Sequence, residues 1–306
     1  MDAGQPGDAA TAVDASRTPD AGVVTGCVGG PVEGCTARGT SGDFDCSLTV
    51  DGVERRFDLH APSNWPQRPA AGVPLVFNFH GLNTTAALQR YFSGMDQAAD
   101  ARGFAVVTPE GIQMSWNAGV CCGGATAAGV DDVAFTLAIL QRVSGALCVD
   151  SRRVFSTGLS NGGHMSYRLA CEQSAVFAAI ASVSGLEVVI PCAPQRPVPV
   201  LHFHGTSDTV VSYQVGIAGL GAEAIVQRWA QRNGCSAATT TVLQRGDVTC
   251  RQHLDCPQDT DVALCTISGG GHQWPGGESI PLLGHNTSDI SATQHILDFF
   301  GAHPMP

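Results

Sequence analysis

Ser160 sits in Gly158-Leu159-Ser160-Asn161-Gly162, a G-x-S-x-G in which the short apolar stretch from Arg153 runs into a helix-forming one. The spacing has a steric cause: a serine on a tight strand-to-helix turn is strained, and only glycine fits two residues to either side. Such a turn lifts the hydroxyl clear of the sheet and aims the next amide, that of Asn161, at the same space. A serine hydroxyl becomes nucleophilic only beside a base, and the base needs a group to orient it. Asp208, at the end of His202-Phe203-His204-Gly205-Thr206-Ser207-Asp208, and His272, at the end of Gly269-Gly270-Gly271-His272, follow in that order. The chemistry open to the three is acyl transfer. His272 would take the serine proton, while Asp208 holds the imidazole tautomer and stabilises imidazolium. The amides of Asn161 and of Leu82, just after His80-Gly81, are expected to form the oxyanion hole, each donor worth about 3 kcal/mol.

The elements that must carry these groups read as alternating strands and helices. Residues 44–50 and 53–59 flank Asp51-Gly52 and read as a hairpin. Residues 75–79 form a buried strand that feeds His80; Asn78 within it costs desolvation unless its amide is paired. A helix over 85–102 and a strand over 104–108 follow, then an irregular glycine-rich segment over 115–129. Asp131 opens a helix in which Val133, Leu137, Leu140 and Val143 fall at helical spacing. Beyond the serine come strands over 177–183 and 198–204, a helix over 222–232, a last strand over 261–267 and a helix over 291–300. The alternation predicts an α/β fold: a mostly parallel central sheet with helices on both faces. Ligands collect beyond the carboxyl ends of such strands, and Asp208 and His272 both fall just past a strand end.

Composition removes several classes of function. Of 306 residues, 43% are hydrophobic and 14% charged, the balance of a globule with a large core. The net charge of -11 and pI near 5.2 argue against nucleic acid, whose binding needs a basic patch. All 16 basic residues are arginine, so no lysine nucleophile, Schiff base or P-loop is available. No apolar run reaches the ~18 residues needed to span a bilayer. The 12 cysteines lack zinc-ribbon spacing, and disulfides in an oxidising compartment account for them better. Adjacent cysteines close a short, strained ring, so Cys121 or Cys122 is expected to tie the Trp116 loop to the body. The region from Cys235 to Cys265 is expected to form its own stapled loop. Residues 1–25, almost without large apolar side chains, read as a disordered linker before a single catalytic domain over 26–306. The linker resembles a lipoprotein tether, but Val24-Thr25-Gly26-Cys27 lacks the apolar run of a lipobox, so Cys27 reads as structural. The chain opens Met1-Asp2-Ala3-Gly4, from which removal of a leader is expected.

His202 and His204 share one face of a strand and, with His80, present a rival reading as zinc ligands. No carboxylate stands at ligand spacing and the serine machinery is complete, so neither a metal nor another cofactor is expected. His204 and His80 read instead as buttresses of the acid and oxyanion loops, with His80 at the substrate-binding edge. Trp116, in the glycine-rich segment, and Trp274, two residues past His272, are expected to line an acyl pocket. A ring there would stack on an aromatic acyl group for roughly 0.5–1.5 kcal/mol.

Several motifs together carry a family resemblance. They are Leu75-Val76-Phe77-Asn78-Phe79-His80-Gly81, Ser115-Trp116-Asn117-Ala118-Gly119 with Cys121-Cys122, Gly129-Val130-Asp131-Asp132-Val133, the Ser160 turn with Gly163, His202 to Asp208, and Gly269 to Gly277. In this order they resemble the extracellular polyhydroxybutyrate depolymerase and feruloyl esterase family, which is similar to carbohydrate esterase family one. The likeness implies the α/β-hydrolase fold and a secreted or cell-surface bacterial serine esterase with an open, lidless site. It also implies an acyl-enzyme route on feruloyl, cinnamoyl or acetyl esters of plant polysaccharide. The alternatives are a depolymerase of polyhydroxybutyrate or a related polyester, and an inactive binding protein on a hydrolase scaffold. An ester substrate is the one partner expected, and the protein is expected to be a monomer. Asn78 departs from the family pattern, which has an apolar residue there.

Overall fold

β-branched and aromatic runs pair into one sheet in a computed structural model that describes residues 29–39, 42–63, 65, 72–217 and 219–306. The linker expected over 1–25 and Cys27 lie outside the described residues. In chain order the strands are β1 (Cys35–Ala37), β2 (Asp43–Val50), β3 (Val53–His60), β4 (Val73–Phe79), β5 (Ala105–Pro109) and β6 (Val149–Leu159), then β7 (Ala179–Val183), β8 (Val200–Gly205), β9 (Thr239–Arg245), β10 (Val248–His253) and β11 (Val262–Ile267). Their spatial order is β1-β2-β3-β5-β4-β6-β7-β8-β11-β10-β9. The stretch from β5 through β4, β6, β7 and β8 to β11 is parallel, and antiparallel strands flank it on both sides.

Helices cover both faces: α1 (Ala86–Ser93), α2 (Met95–Asp100), α3 (Gly123–Ala127), α4 (Asp132–Leu147), α5 (Asn161–Glu172), α6 (Ala222–Asn233) and α7 (Ala292–Ala302). The period of two in β4 decides which helices meet it. Leu75, Phe77 and Phe79 pack with Val133, Ile139 and Val143 of α4 and Met165 and Leu169 of α5. Val76 points the other way, into a core with Met95 of α2 and Ile296 and Phe300 of α7. Each large side chain buried there contributes roughly 1.5–3 kcal/mol.

The β2–β3 hairpin turns at Asp51-Gly52, both at positive φ (50° and 77°), as a two-residue turn between right-twisted strands requires. The single helix expected over 85–102 is two, because Gly94 adopts φ 58° and ends α1 before α2 begins. Asn78 is satisfied from α1: its Nδ2 donates to Ser93 Oγ at 3.1 Å and its Oδ1 accepts from Gln89 Nε2 at 2.8 Å. β9 and β10 lie outside the strands that the sequence pattern predicts; the Thr-rich β9 is almost wholly exposed and shows no apolar alternation.

Disulfides join Cys35 to Cys46, Cys171 to Cys192, Cys235 to Cys256 and Cys250 to Cys265; Cys148 is also bonded, and no described cysteine is free. Cys250 and Cys265 lie directly opposite each other on β10 and β11, so the 235–265 region is stapled as expected. The expectation for Cys121 and Cys122 is corrected. They bond each other across a cis peptide that brings their Cα atoms to 3.1 Å. None of the described helices is long and apolar enough to cross a membrane.

Candidate active site

The serine turn is built by backbone crowding. Ser160 caps α5 at φ 56°, ψ -118°, a sparsely populated region, and its amide donates to Val183 O at the end of β7 at 2.8 Å. A Cβ on Gly158 would stand 2.6 Å from Phe79 O, and one on Gly162 would overlap that same carbonyl. The glycines therefore let α5 and β6 press against the end of β4. The 80–83 loop lies alongside, since a Cβ on Gly81 would come 3.5 Å from Ser160 Cβ.

Asp208 and His272 come from neighbouring parallel strands, β8 and β11, paired through Gly205 and Ile267. Beyond them Asp208 Oδ2 accepts from His272 Nδ1 at 2.7 Å. Asp208 Oδ1 accepts the amides of Val210 and Val211 at 2.9 and 2.8 Å, which fixes the carboxylate plane. Burial pushes the Asp208 carboxyl pKa up, but the His272 hydrogen bond and charge and the Val211 amide outweigh it and hold the value below the usual one. The His272 amide donates to Leu283 O at 2.7 Å, and Gln273 clamps the same loop through Ile280 N, Ile280 O and Gly284 O. With Nδ1 engaged by Asp208, Nε2 is the His272 nitrogen left to receive a proton.

On the other side of Ser160, the Asn161 side chain bonds the Trp116 backbone twice, and Trp116 Nε1 donates to His80 O at 2.8 Å. His80 Nε2 accepts the Gly111 amide at 2.9 Å and Nδ1 donates to Gly81 O at 2.7 Å, so the ring braces the turn that presents the Leu82 amide. Burial lowers the His80 pKa to about 4, against the raising effect of its bond to Gly81, and keeps the ring neutral.

The expectation that Trp116, Trp274 and His80 line a substrate pocket is corrected. All three are fully buried. Trp116 stacks edge-on against Phe79 at 5.1 Å between ring centres, and Trp274 donates Nε1 to Thr293 Oγ1 at 2.8 Å inside the core shared with α7. An indole with a satisfied N–H and a packed ring has no face left for an acyl group. His202 and His204 are buried as well, and each of their ring nitrogens has a partner within the protein.

Asp131 opens α4 as expected, capping it through the Ala134 amide at 2.8 Å, but sequence reasoning missed the other supports. The neighbouring Asp132 is buried, pairs with Arg55 at 2.8 Å and accepts the Asn117 amide at 2.7 Å, anchoring the Trp116 loop to the sheet. The doubled aspartate before an apolar helix was the available signal: one carboxylate suffices for a cap. The Asn161 carboxamide and Gln273 left no comparable trace.

Residues 64–218 match the family described as esterase PHB depolymerase. The chain is similar to feruloyl esterase B of Piromyces equi, 33% identical over 71% of this chain and 42% of that one, so the match spans less than half of that relative. It is also similar to feruloyl esterase D of Neurospora crassa, 30% identical over 84% of this chain and 88% of that one. Its fold is like that of an acetyl xylan esterase from Aspergillus awamori, with a TM-score of 0.58 at 14% identity over 84% of this chain and 99% of that one. A serine elbow after β6, an Asp–His pair beyond β8 and β11 and this likeness in sequence and fold have one joint meaning: the chain belongs to the esterase PHB depolymerase family, carboxylic ester hydrolases of the α/β-hydrolase fold.

Proposed function

We propose that the protein is a secreted or cell-surface serine esterase that cleaves feruloyl, cinnamoyl or acetyl esters of plant polysaccharide. Ser160 Oγ adds to the ester carbonyl carbon as its proton passes to His272 Nε2. The oxyanion gathers the amides of Asn161 and Leu82, and Asp208 steadies the imidazolium. Collapse breaks the carbon–oxygen bond to the alcohol, which leaves with the His272 proton; water then repeats the sequence on the acyl-enzyme. The observation that carries this reading is the 2.7 Å Asp208–His272 bond at the sheet edge that presents the strained Ser160. The names of the two feruloyl esterases above support the acyl group. The five described disulfides support an oxidising compartment.

A specific observation favours polyester as a second substrate. Met114, Val210 and Leu282 are exposed apolar side chains on segments that adjoin the site. Met114 O holds the Asn83 amide beside Leu82, Val210 follows Asp208 by two residues, and Leu282 precedes the carbonyl that holds the His272 amide. Such a rim suits an extended apolar chain lying across an open site.

Ser160→Ala should lower turnover of methyl ferulate by about 10⁴-fold or more without changing the fold. Retained activity in that variant, or its abolition by a chelator, would refute the serine route. Methyl ferulate, acetylated xylan, hydroxybutyrate oligomers and an aromatic polyester, compared on one preparation, rank the substrates. Inertness on all of them would identify a binding protein. We further propose a monomer whose residues 1–25 act only as a linker, so that deleting them leaves melting temperature and activity unchanged.

A further inference from the structure

Tyr167 of α5, His202 and His204 of β8 and Asp208 in the turn beyond form an unbroken buried chain. Tyr167 OH lies 2.9 Å from His202 Nδ1, and His202 Nε2 lies 3.0 Å from His204 Nδ1. His204 Nε2 in turn lies 2.8 Å from Val211 O and 3.5 Å from Asp208 Oδ2. The direction of every bond follows from the far end. A carbonyl only accepts, so His204 Nε2 carries the proton. A neutral imidazole has one N–H, so His204 Nδ1 is a lone pair and His202 Nε2 must donate to it. His202 Nδ1 is then also a lone pair, and the Tyr167 hydroxyl donates to it. Burial lowers the pKa of both histidines, which keeps them neutral as this order requires.

We propose that Tyr167 and His202 are positioning residues that lock His204 in its Nε2–H tautomer and thereby hold the 208–211 turn and set how strongly Asp208 draws on His272. The inference rests on the serine-esterase reading of Asp208 and His272. In the opposite tautomer the Nε2 lone pair would face Val211 O and Asp208 Oδ2 together, three acceptors with no proton among them, and the turn would open. In the inferred order the positive end of the His204 dipole points at the carboxylate. It partly offsets the negative charge that Asp208 presents to His272.

The groups around the chain are few. His204 faces Asp208, His272, His164 and the Tyr213 ring, the last 5.7 Å away, and His164 also acts on His272. His202 faces His164. Tyr167 packs on Trp229 at 5.8 Å and feels Glu187 and Arg232, which are themselves paired.

The test uses Tyr167→Phe, His202→Leu and His202→Gln, the last restoring an N–H donor toward His204. Kinetics on methyl ferulate should show kcat of His202→Leu falling about 10- to 100-fold with KM little changed. The acid limb of kcat/KM should move up by about half a pH unit or more. Tyr167→Phe should move both in the same direction by less, and His202→Gln should return them toward the parent values. Imidazole ¹⁵N spectra of the Ser160→Ala protein should show His202 and His204 as Nε2–H tautomers, a readout independent of activity. A His204 Nδ1–H tautomer overturns the proposal, as does equal loss in His202→Leu and His202→Gln. If His202→Leu does not fold, Tyr167→Phe decides, and parental kcat and acid limb in that variant overturn the proposal. Failure of the esterase reading would appear separately, as activity retained by Ser160→Ala with the tautomers unchanged.

Discussion

The side chain of Asn161 holds the backbone of Trp116 by both of its polar groups: Oδ1 accepts the Trp116 amide at 2.7 Å and Nδ2 donates to its carbonyl at 3.0 Å. The residue after the nucleophile therefore contributes twice. Its amide faces the reacting center in the proposed mechanism, and its carboxamide ties down the glycine-rich loop whose indole supports His80. Asn161→Ala keeps the amide and loses the tie. It should cost about 1–3 kcal/mol of stability through two unpaired buried backbone groups. A drop in kcat should accompany it, as the 80–83 loop loosens. Asn161→Asp should be worse than Asn161→Ala, since a carboxylate oxygen would face the Trp116 carbonyl. Urea unfolding and methyl ferulate kinetics on both variants check this; a stable, fully active Asn161→Asp contradicts it.

The Ser160 turn has no room for methyl groups. Gly162→Ala would drive a Cβ into the Phe79 carbonyl, whereas Gly301→Ala on α7 meets nothing within 4 Å. The first should be poorly folded or inactive. The second should be neutral or slightly stabilising, because alanine is the better helix former by about 1 kcal/mol. Comparable melting temperatures for the two would show that the backbone at the elbow can relax.

Trp274→Phe removes an indole N–H bonded to Thr293 in the core, not a substrate wall. Stability should fall by roughly 1–3 kcal/mol. Catalytic efficiency on methyl ferulate and on p-nitrophenyl acetate should change by the same factor. A loss confined to the ferulate would return the ring to the acyl pocket.

Acid should weaken the fold through its buried histidines. Burial lowers His80 and His164 from 6.5 to about 4. Between those values the unfolded chain binds more protons than the native one, so stability is full above pH 6.5 and falls as pH drops toward 4. The two shifts together correspond to several kcal/mol at most, at about 1.4 kcal/mol per pKa unit. Asp208, held below its usual value, adds a further loss only at lower pH. The urea midpoint should be lower at pH 5 than at pH 7.5, and a flat or rising midpoint would contradict the burial argument.

Local rules made much of the protein legible in its sequence. G-x-S-x-G around Ser160 spells a turn whose steric demands reach no further than two residues. Asp51-Gly52 spells a hairpin for the same reason, and the order Ser160, Asp208, His272 at strand ends follows from alternating apolar runs. Other features were decided by neighbours distant in the chain. β9 has no apolar face of its own and becomes a strand because β10, fastened to β11 through Cys250–Cys265, offers it an edge. Trp116 and Trp274 stand in irregular segments beside chemical motifs, yet lie in the core, because Asn161 and Thr293 supply the hydrogen bonds that let an indole segment be buried. The tautomers of His202 and His204 hang on the Val211 carbonyl, which reaches them only after the turn at Asp208 has folded back. Backbone sterics act between adjacent residues and can be read from sequence. Burial and hydrogen-bond direction depend on which groups the completed fold brings within 3 Å, and only the tertiary structure settles those.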